Sequence, residues 1–185
     1  WKQTGGITVS GGEPLLQLAF VTELFRLAKA KGVNTAIDTA GEPFTRDEPF
    51  FSAFEELLPL VDLFLLDLKH IDEEAHRALT GVSNVSALAL AQFLSERGKR
   101  LWIRHVLVPG WTTGEDDLRR LSDFIARLRT VDRVEVLPYH AMARHKYEEL
   151  NLPYRLGETP APTAEEIARA EKILRVGEYR GYLNT

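Results

Sequence analysis

The chain contains no cysteine, which excludes disulfide bonds and thiolate metal sites from its 185 residues. No apolar run approaches the ~20 residues that a membrane span requires. No cationic and apolar leader stands ahead of the first strand-like segment, so a soluble, cytoplasmic protein with no membrane partner is expected. Basic charge is not in excess either: 23 Lys and Arg stand against 27 Asp and Glu, for a net charge of -4. With no block of lysines or arginines, the sequence carries no electrostatic footprint for nucleic acid. It shows no internal repeat and no low-complexity tract. What it does have is apolar material, 44% of residues, enough for a single domain over 1–185 that buries roughly 70% of its unfolded surface.

Strand-like apolar runs alternate with amphipathic helical patterns, the order of a parallel sheet with crossover helices. Five strands are read, over 6–10, 33–39, 61–69, 101–108 and 133–139. The run from Asp62 to Asp67 is nearly continuous in apolar residues, as expected of a parallel strand buried on both faces. Phe20, Val21, Leu24, Phe25 and Ala28 recur at helical spacing, as do Leu118, Leu121, Ile125 and Leu128, and both stripes read as core. Thr163 and Glu166 form a capping-box pattern that opens a helix over about 164–175. The proline-rich stretch 152–162 reads as a loop.

The polar residues gather where strands end. In parallel α/β proteins the ligand site forms at the carboxyl ends of the strands. Here the first strand runs into Ser10, Gly11, Gly12, Glu13 and Pro14, the second ends in Asp38, Thr39 and Gly41, the third in Asp67, Leu68, Lys69 and His70, and the fifth in Tyr139 and His140. Arg104 and His105 interrupt the apolar fourth strand, where a charge is costly unless paired or facing a polar cavity. Each has a plain structural reading beside the functional one. The Gly-Gly turn by itself is an ordinary strand-to-helix connection, Asp38 and Thr39 form a helix cap, and Asp67 and Lys69 pair on one strand face. His140 serves equally as a structural histidine, His145 lies exposed in a loop, and Trp102 and Trp111 are packing residues. Strand ends of matching character together point to one polar rim.

The segments GGITVSGGEPLLQ, AIDTAG, LLDLKH, TGVSN, LWIRHVLVPGW and VLPYHAMARHKYEEL, in this order and spacing, resemble the pyruvate formate-lyase activating enzymes and related glycyl-radical enzyme activases of the radical S-adenosylmethionine superfamily. The resemblance covers nearly the whole chain. It implies an α/β fold, a partial (β/α) TIM-like barrel of about five parallel strands with outer helices. It also implies an oxidoreductase in which a 4Fe-4S cluster reduces S-adenosylmethionine, giving methionine and a 5′-deoxyadenosyl radical that takes hydrogen from a glycine of the partner enzyme. Pyruvate formate-lyase is the implied partner and flavodoxin the implied electron donor. By position, Gly11, Gly12 and Glu13 would meet the methionyl amino group and Lys69 the methionyl carboxylate. Asp67, Leu68, Leu137 and His140 would complete the cofactor site, the last at the ribose or adenine. Asp38, Thr39 and Asp67, with a carbonyl near Leu65, resemble a monovalent-cation site, an oxygen set suited to a hard ion. Arg104 is the implied catalytic residue, orienting the incoming glycine backbone.

One departure stands out. The family holds its cluster in a Cys-x3-Cys-x2-Cys loop, and this sequence has no cysteine. It is therefore expected to be a fragment lacking the first strand and that loop, inactive alone. A smaller departure is Ala40, where relatives often carry a polar residue. Two other classes remain open: a metal-dependent barrel hydrolase using Asp38, Asp67, His70, His140 and His145, and a non-catalytic docking module for a glycyl-radical enzyme.

Overall fold

The computed structural model describes residues 5–184. Five strands, β1 (Gly6–Val9), β2 (Asn34–Thr39), β3 (Leu63–Asp67), β4 (Arg100–Leu107) and β5 (Val131–Pro138), form one sheet in the order β1-β2-β3-β4-β5. Every neighbouring pair is parallel. A parallel sheet whose strands follow chain order, joined by right-handed crossovers, carries its helices on one face and curls as a segment of a barrel. The helices are α1 (Leu18–Lys29), α2 (Phe50–Leu57), α3 (Glu73–Thr80), α4 (Val85–Glu96), α5 (Glu115–Ala126), the short α6 (Arg144–Glu149) and α7 (Ala164–Ile173). None is long and apolar enough to cross a membrane, among the described residues.

Local chemistry sets the boundaries. Asp72 caps α3 by accepting from the Ala75 amide at 3.1 Å, and Gly81, with φ 94°, ends it. At α7 the reciprocal Thr163–Glu166 capping box forms as its sequence pattern predicts.

The strands alternate. On β4, Leu101, Ile103, His105 and Leu107 are buried on the helix side, while Arg100, Trp102, Arg104 and Val106 stay partly exposed on the inner face. On β3, Phe64 and Leu66 are fully buried but Leu63 and Leu65 are not. The expectation of burial on both faces is thus corrected: helices cover one face, and the apolar residues between them line the open side of a barrel segment. The core joins Ile37, Phe64, Leu66, Leu101, Ile103 and Val134 to Phe25, Phe54, Leu90, Leu94, Leu121 and Ile125 from the helices.

On α1 the buried stripe is Leu18, Val21, Phe25 and Ala28, whereas Phe20 is 63% exposed. Adjacent helical residues point about 100° apart, so Phe20 cannot share the face of Val21. Leu118, Leu121, Ile125 and Leu128 are all buried, as read. His145, expected in a loop, belongs to α6 and is indeed exposed. Helices α2, α3 and α4, not read from the sequence, fill the two crossovers flanking β3.

Candidate functional site

After β1 the backbone enters the left-handed region at Gly11 (φ 84°) and Gly12 (φ 54°). A Cβ on either would meet nothing within 4 Å, so conformation, not crowding, calls for glycine, and the turn's peptide groups lie open at the rim. Glu13 follows and is pinned from three sides. Its Oε1 accepts from the Leu15 amide at 3.0 Å and from the Thr39 hydroxyl at 2.6 Å, and its Oε2 accepts from the Ala40 amide at 2.9 Å. A carboxylate offers about four acceptor positions, so one remains, on Oε2. Glu13 therefore fastens the end of β1 to the end of β2 while keeping one lone pair for a ligand. Gly41, beyond β2, is a different glycine: at φ 73° its missing Cβ would lie 3.1 Å from Ala87 Cα and from Leu66 Cδ1.

A row of charges crosses the inner face beside this turn. The register sets Asp67 of β3 next to Arg104 of β4. The Arg104 guanidinium donates through Nε to Asp67 Oδ1 at 2.9 Å and through Nη1 to Asp38 Oδ2 at 3.1 Å. Its Nη2 also pairs with Asp38 Oδ1, and with Asp67 Oδ1 at 2.8 Å. Arg104 thus bridges β2 and β4 across β3. Burial alone would lower its pKa, but Asp67 and Asp38 outweigh that and raise it, so the charge is secure. Three of its five N–H groups donate hydrogen bonds, leaving one on Nη1 and one on Nη2. Lys69 Nζ lies 3.6 Å from Asp67 Oδ2, beyond direct hydrogen bonding, with its donors available.

The structure therefore brings together Gly11, Gly12, Glu13, Asp38, Asp67, Lys69 and Arg104 at the carboxyl end of the sheet. Thr39 is adjacent, but its buried hydroxyl points to the helix side, donating to Glu13 and accepting from the Gly41 amide at 2.9 Å. Leu68 lies behind the rim: its side chain is in the core, its amide donates to the Arg104 carbonyl at 2.9 Å and its carbonyl meets His105 Nδ1 at 2.8 Å. Leu137 pairs in register with Val106, and His140 lies exposed just past β5. His70 is buried, its Nδ1 accepting from the Asp72 amide at 3.0 Å. Among the described residues no group of three or more His, Asp or Glu is placed to hold a metal ion, which disfavours the hydrolase reading. Sequence reasoning missed a cleft of about 550 Å³ beside Lys69, walled by Val106, Tyr139, Tyr154 and Arg155. It forms because the segment after β5 folds back, with the Tyr139 and Tyr154 hydroxyls 2.6 Å apart, and no local pattern announces that.

Fold and site define a singly wound, barrel-type α/β protein with a charged ligand rim at the strand ends. The family pattern of the Radical SAM superfamily matches residues 1–125. A pyruvate formate-lyase-activating enzyme of Streptococcus mutans is 44% identical over 182 residues, covering 98% of this chain and 69% of that protein. One from Listeria monocytogenes is 46% identical over 176 residues, covering 95% and 71%. Among solved structures, a domain of pyruvate-formate lyase-activating enzyme from Bacteroides vulgatus superposes with TM-score 0.75 at 24% identity, covering 96% of this chain and 97% of that one. Coproporphyrinogen III oxidase from Escherichia coli, a radical SAM enzyme, does so with TM-score 0.64 at 14% identity, covering 95% and 41%. These two likenesses speak for the fold. The chain belongs to the radical SAM superfamily and, within it, to the pyruvate formate-lyase-activating enzymes.

Family membership brings two cofactors, S-adenosylmethionine and a 4Fe-4S cluster. The residues present fit the first: an open glycine turn, a pinned carboxylate with one free lone pair and an available ammonium match a zwitterionic amino acid moiety. They do not fit the second, since the chain has no cysteine to supply a thiolate.

Proposed function

We propose that this chain is the nucleoside-binding barrel segment of a glycyl-radical enzyme activase, with pyruvate formate-lyase as its protein substrate and flavodoxin as electron donor, acting in the cytoplasm. What supports the reading is that the Glu13 anchor and the Asp38–Arg104–Asp67–Lys69 charge row both stand at the carboxyl end of one singly wound sheet. When bound, S-adenosylmethionine would supply, on receiving one electron that originates from the donor, the removal of a hydrogen atom from a backbone glycine of the partner. The chain's own residues bind and orient. Glu13 and the carbonyls of the glycine turn receive the methionyl ammonium, and Lys69 receives the carboxylate. His140 and the backbone of Leu137 contact ribose and base from β5. Arg104 acts first as organiser of two carboxylates and offers a remaining N–H to the incoming peptide. None of these groups serves as general acid or base, because hydrogen-atom abstraction moves no separate proton.

A monovalent cation beside Asp38 and Asp67 belongs to the same proposal. There it competes with the Arg104 guanidinium, which already pairs with both carboxylates, while Thr39 contributes only by turning its hydroxyl from Glu13. Calorimetric titration of the chain with S-adenosylmethionine tests the assignment. Saturable one-to-one binding that Lys69→Ala weakens supports it, and no heat at millimolar ligand retires it.

A further inference from the structure

Two buried polar side chains outside the rim aim their donors at one short segment. Residues 68–71 directly follow β3, belong to neither strand nor helix, and so have carbonyls without ladder partners. Asn84, 3% exposed, stands at the cap position of α4 yet makes no capping bond. Its Nδ2 donates instead to the carbonyls of His70 at 3.0 Å and Ile71 at 2.8 Å. His105, 2% exposed, lies on the helix side of β4, with Nδ1 at 2.8 Å from the Leu68 carbonyl and Nε2 at 3.5 Å from that of Thr112. Burial pushes the imidazole pKa below its ordinary value, more than its carbonyl contacts raise it. The neutral ring has one N–H, and the shorter contact assigns it to Nδ1 and Leu68.

Three carbonyls of this segment are thus gripped from behind, and the segment begins immediately after Asp67 and includes Lys69. We infer that Asn84 and His105 are positioning residues: by fixing the carbonyls of Leu68, His70 and Ile71 they hold the Asp67 carboxylate and the Lys69 ammonium at a set place beside Arg104. Their link to cofactor binding rests on the reading of Lys69 above. Among the described residues neither side chain hydrogen-bonds to the rim side chains themselves, and their bonds go to main-chain carbonyls, so the effect passes through the backbone. This gives the TGVSN segment, which ends in Asn84, a physical task.

The test follows amide hydrogen exchange in the whole chain at Leu68 and Asp72, whose N–H groups donate to the Arg104 carbonyl at 2.9 Å and to His70 Nδ1 at 3.0 Å. The Ile167 and Leu174 amides of the α7 region serve as controls. His105→Leu and Asn84→Ala are expected to speed exchange at Leu68 and Asp72 by about tenfold or more and to leave the controls unchanged. His105→Asn, whose amide places a donor near that of Nδ1, is expected to restore slow exchange. Affinity for S-adenosylmethionine should follow the same order. Unchanged exchange at both amides, acceleration spread evenly to the controls, or no recovery in His105→Asn overturns the inference. Should His105→Leu fail to fold, Asn84→Ala decides by the same amides. If the unaltered chain binds no S-adenosylmethionine, the cofactor reading falls, while exchange still decides whether these side chains hold the segment.

Discussion

The two faces of the sheet are built from alternating residues of the same strands, yet they do different work. On β3, Phe64 and Leu66 are sealed beneath helices, whereas Leu65 and Asp67, one position away, look onto the inner face. On β4, Ile103 is fully buried and Arg104 is held by two carboxylates. Stability is therefore concentrated on one face and ligand chemistry on the other, and single substitutions can separate them. The sharpest separation is Phe64→Ala against Leu65→Ala. Removing the fully buried ring should cost about 3–5 kcal/mol in urea unfolding, and truncating its partly exposed neighbour less than about half of that. Equal costs would break the comparison.

The two rim turns give the next contrast. Gly41 combines a left-handed backbone with a site where a Cβ would press on Ala87 and Leu66, and Gly41→Ala should cost about 2–3 kcal/mol. Gly12 has the same kind of backbone but open space around it, so Gly12→Ala should cost about 1 kcal/mol from conformation alone. On the proposed function, Gly12→Ala should nevertheless weaken S-adenosylmethionine more than Gly41→Ala does, which calorimetry would show.

On the inner face, Arg104→Met leaves Asp38 and Asp67 with no cation between them, only Lys69 at 3.6 Å from Asp67 Oδ2. The three side chains are 17%, 24% and 20% exposed, so water tempers the penalty, and a loss of about 1–2 kcal/mol is expected. Adding Asp38→Asn should recover part of it, and a double-mutant cycle with no coupling would remove Arg104 as the organiser of the row.

How much of this was legible follows from the range over which each feature is encoded. The five strands were readable because apolar runs and the polar residues that end them are local, and observed boundaries differ from the reading by at most two residues. The α7 cap was readable because Thr163 and Glu166 bond to each other within one turn. The rim was readable as a set, since the carboxyl ends of parallel strands must share one edge. The partners were not. That Glu13 is fastened by Thr39, 26 positions away, or that Arg104 reaches Asp38 across an intervening strand, depends on side-chain direction and sheet curvature. Phe20 was misplaced because a five-residue apolar cluster is wider than the stripe a helix can bury. Asn84 carried a misleading signal: a residue suited to capping α4 is instead drawn to two carbonyls on the β3 rim.

The mildest test of the two faces uses pH. Near neutrality the buried groups with shifted titration lie away from the inner face: His105 on the helix side of β4 and His76 in α3, whose Nδ1 contacts the Val82 carbonyl at 2.9 Å. Burial lowers both pKa values, so the unfolded chain, with histidines near ~6.5, takes up protons before the folded one does. Wherever the unfolded state binds more protons, stability falls as pH falls. The contribution is complete above about pH 6.5 and is lost on acidification through the window below it. Urea unfolding at about pH 7.5 and about pH 5.5 should show the decline, and His105→Asn should make it shallower by removing one of the two groups. A decline of the same slope in that variant would mean that His105 is not protonated on unfolding in this range, and would leave His76 as the group that carries it.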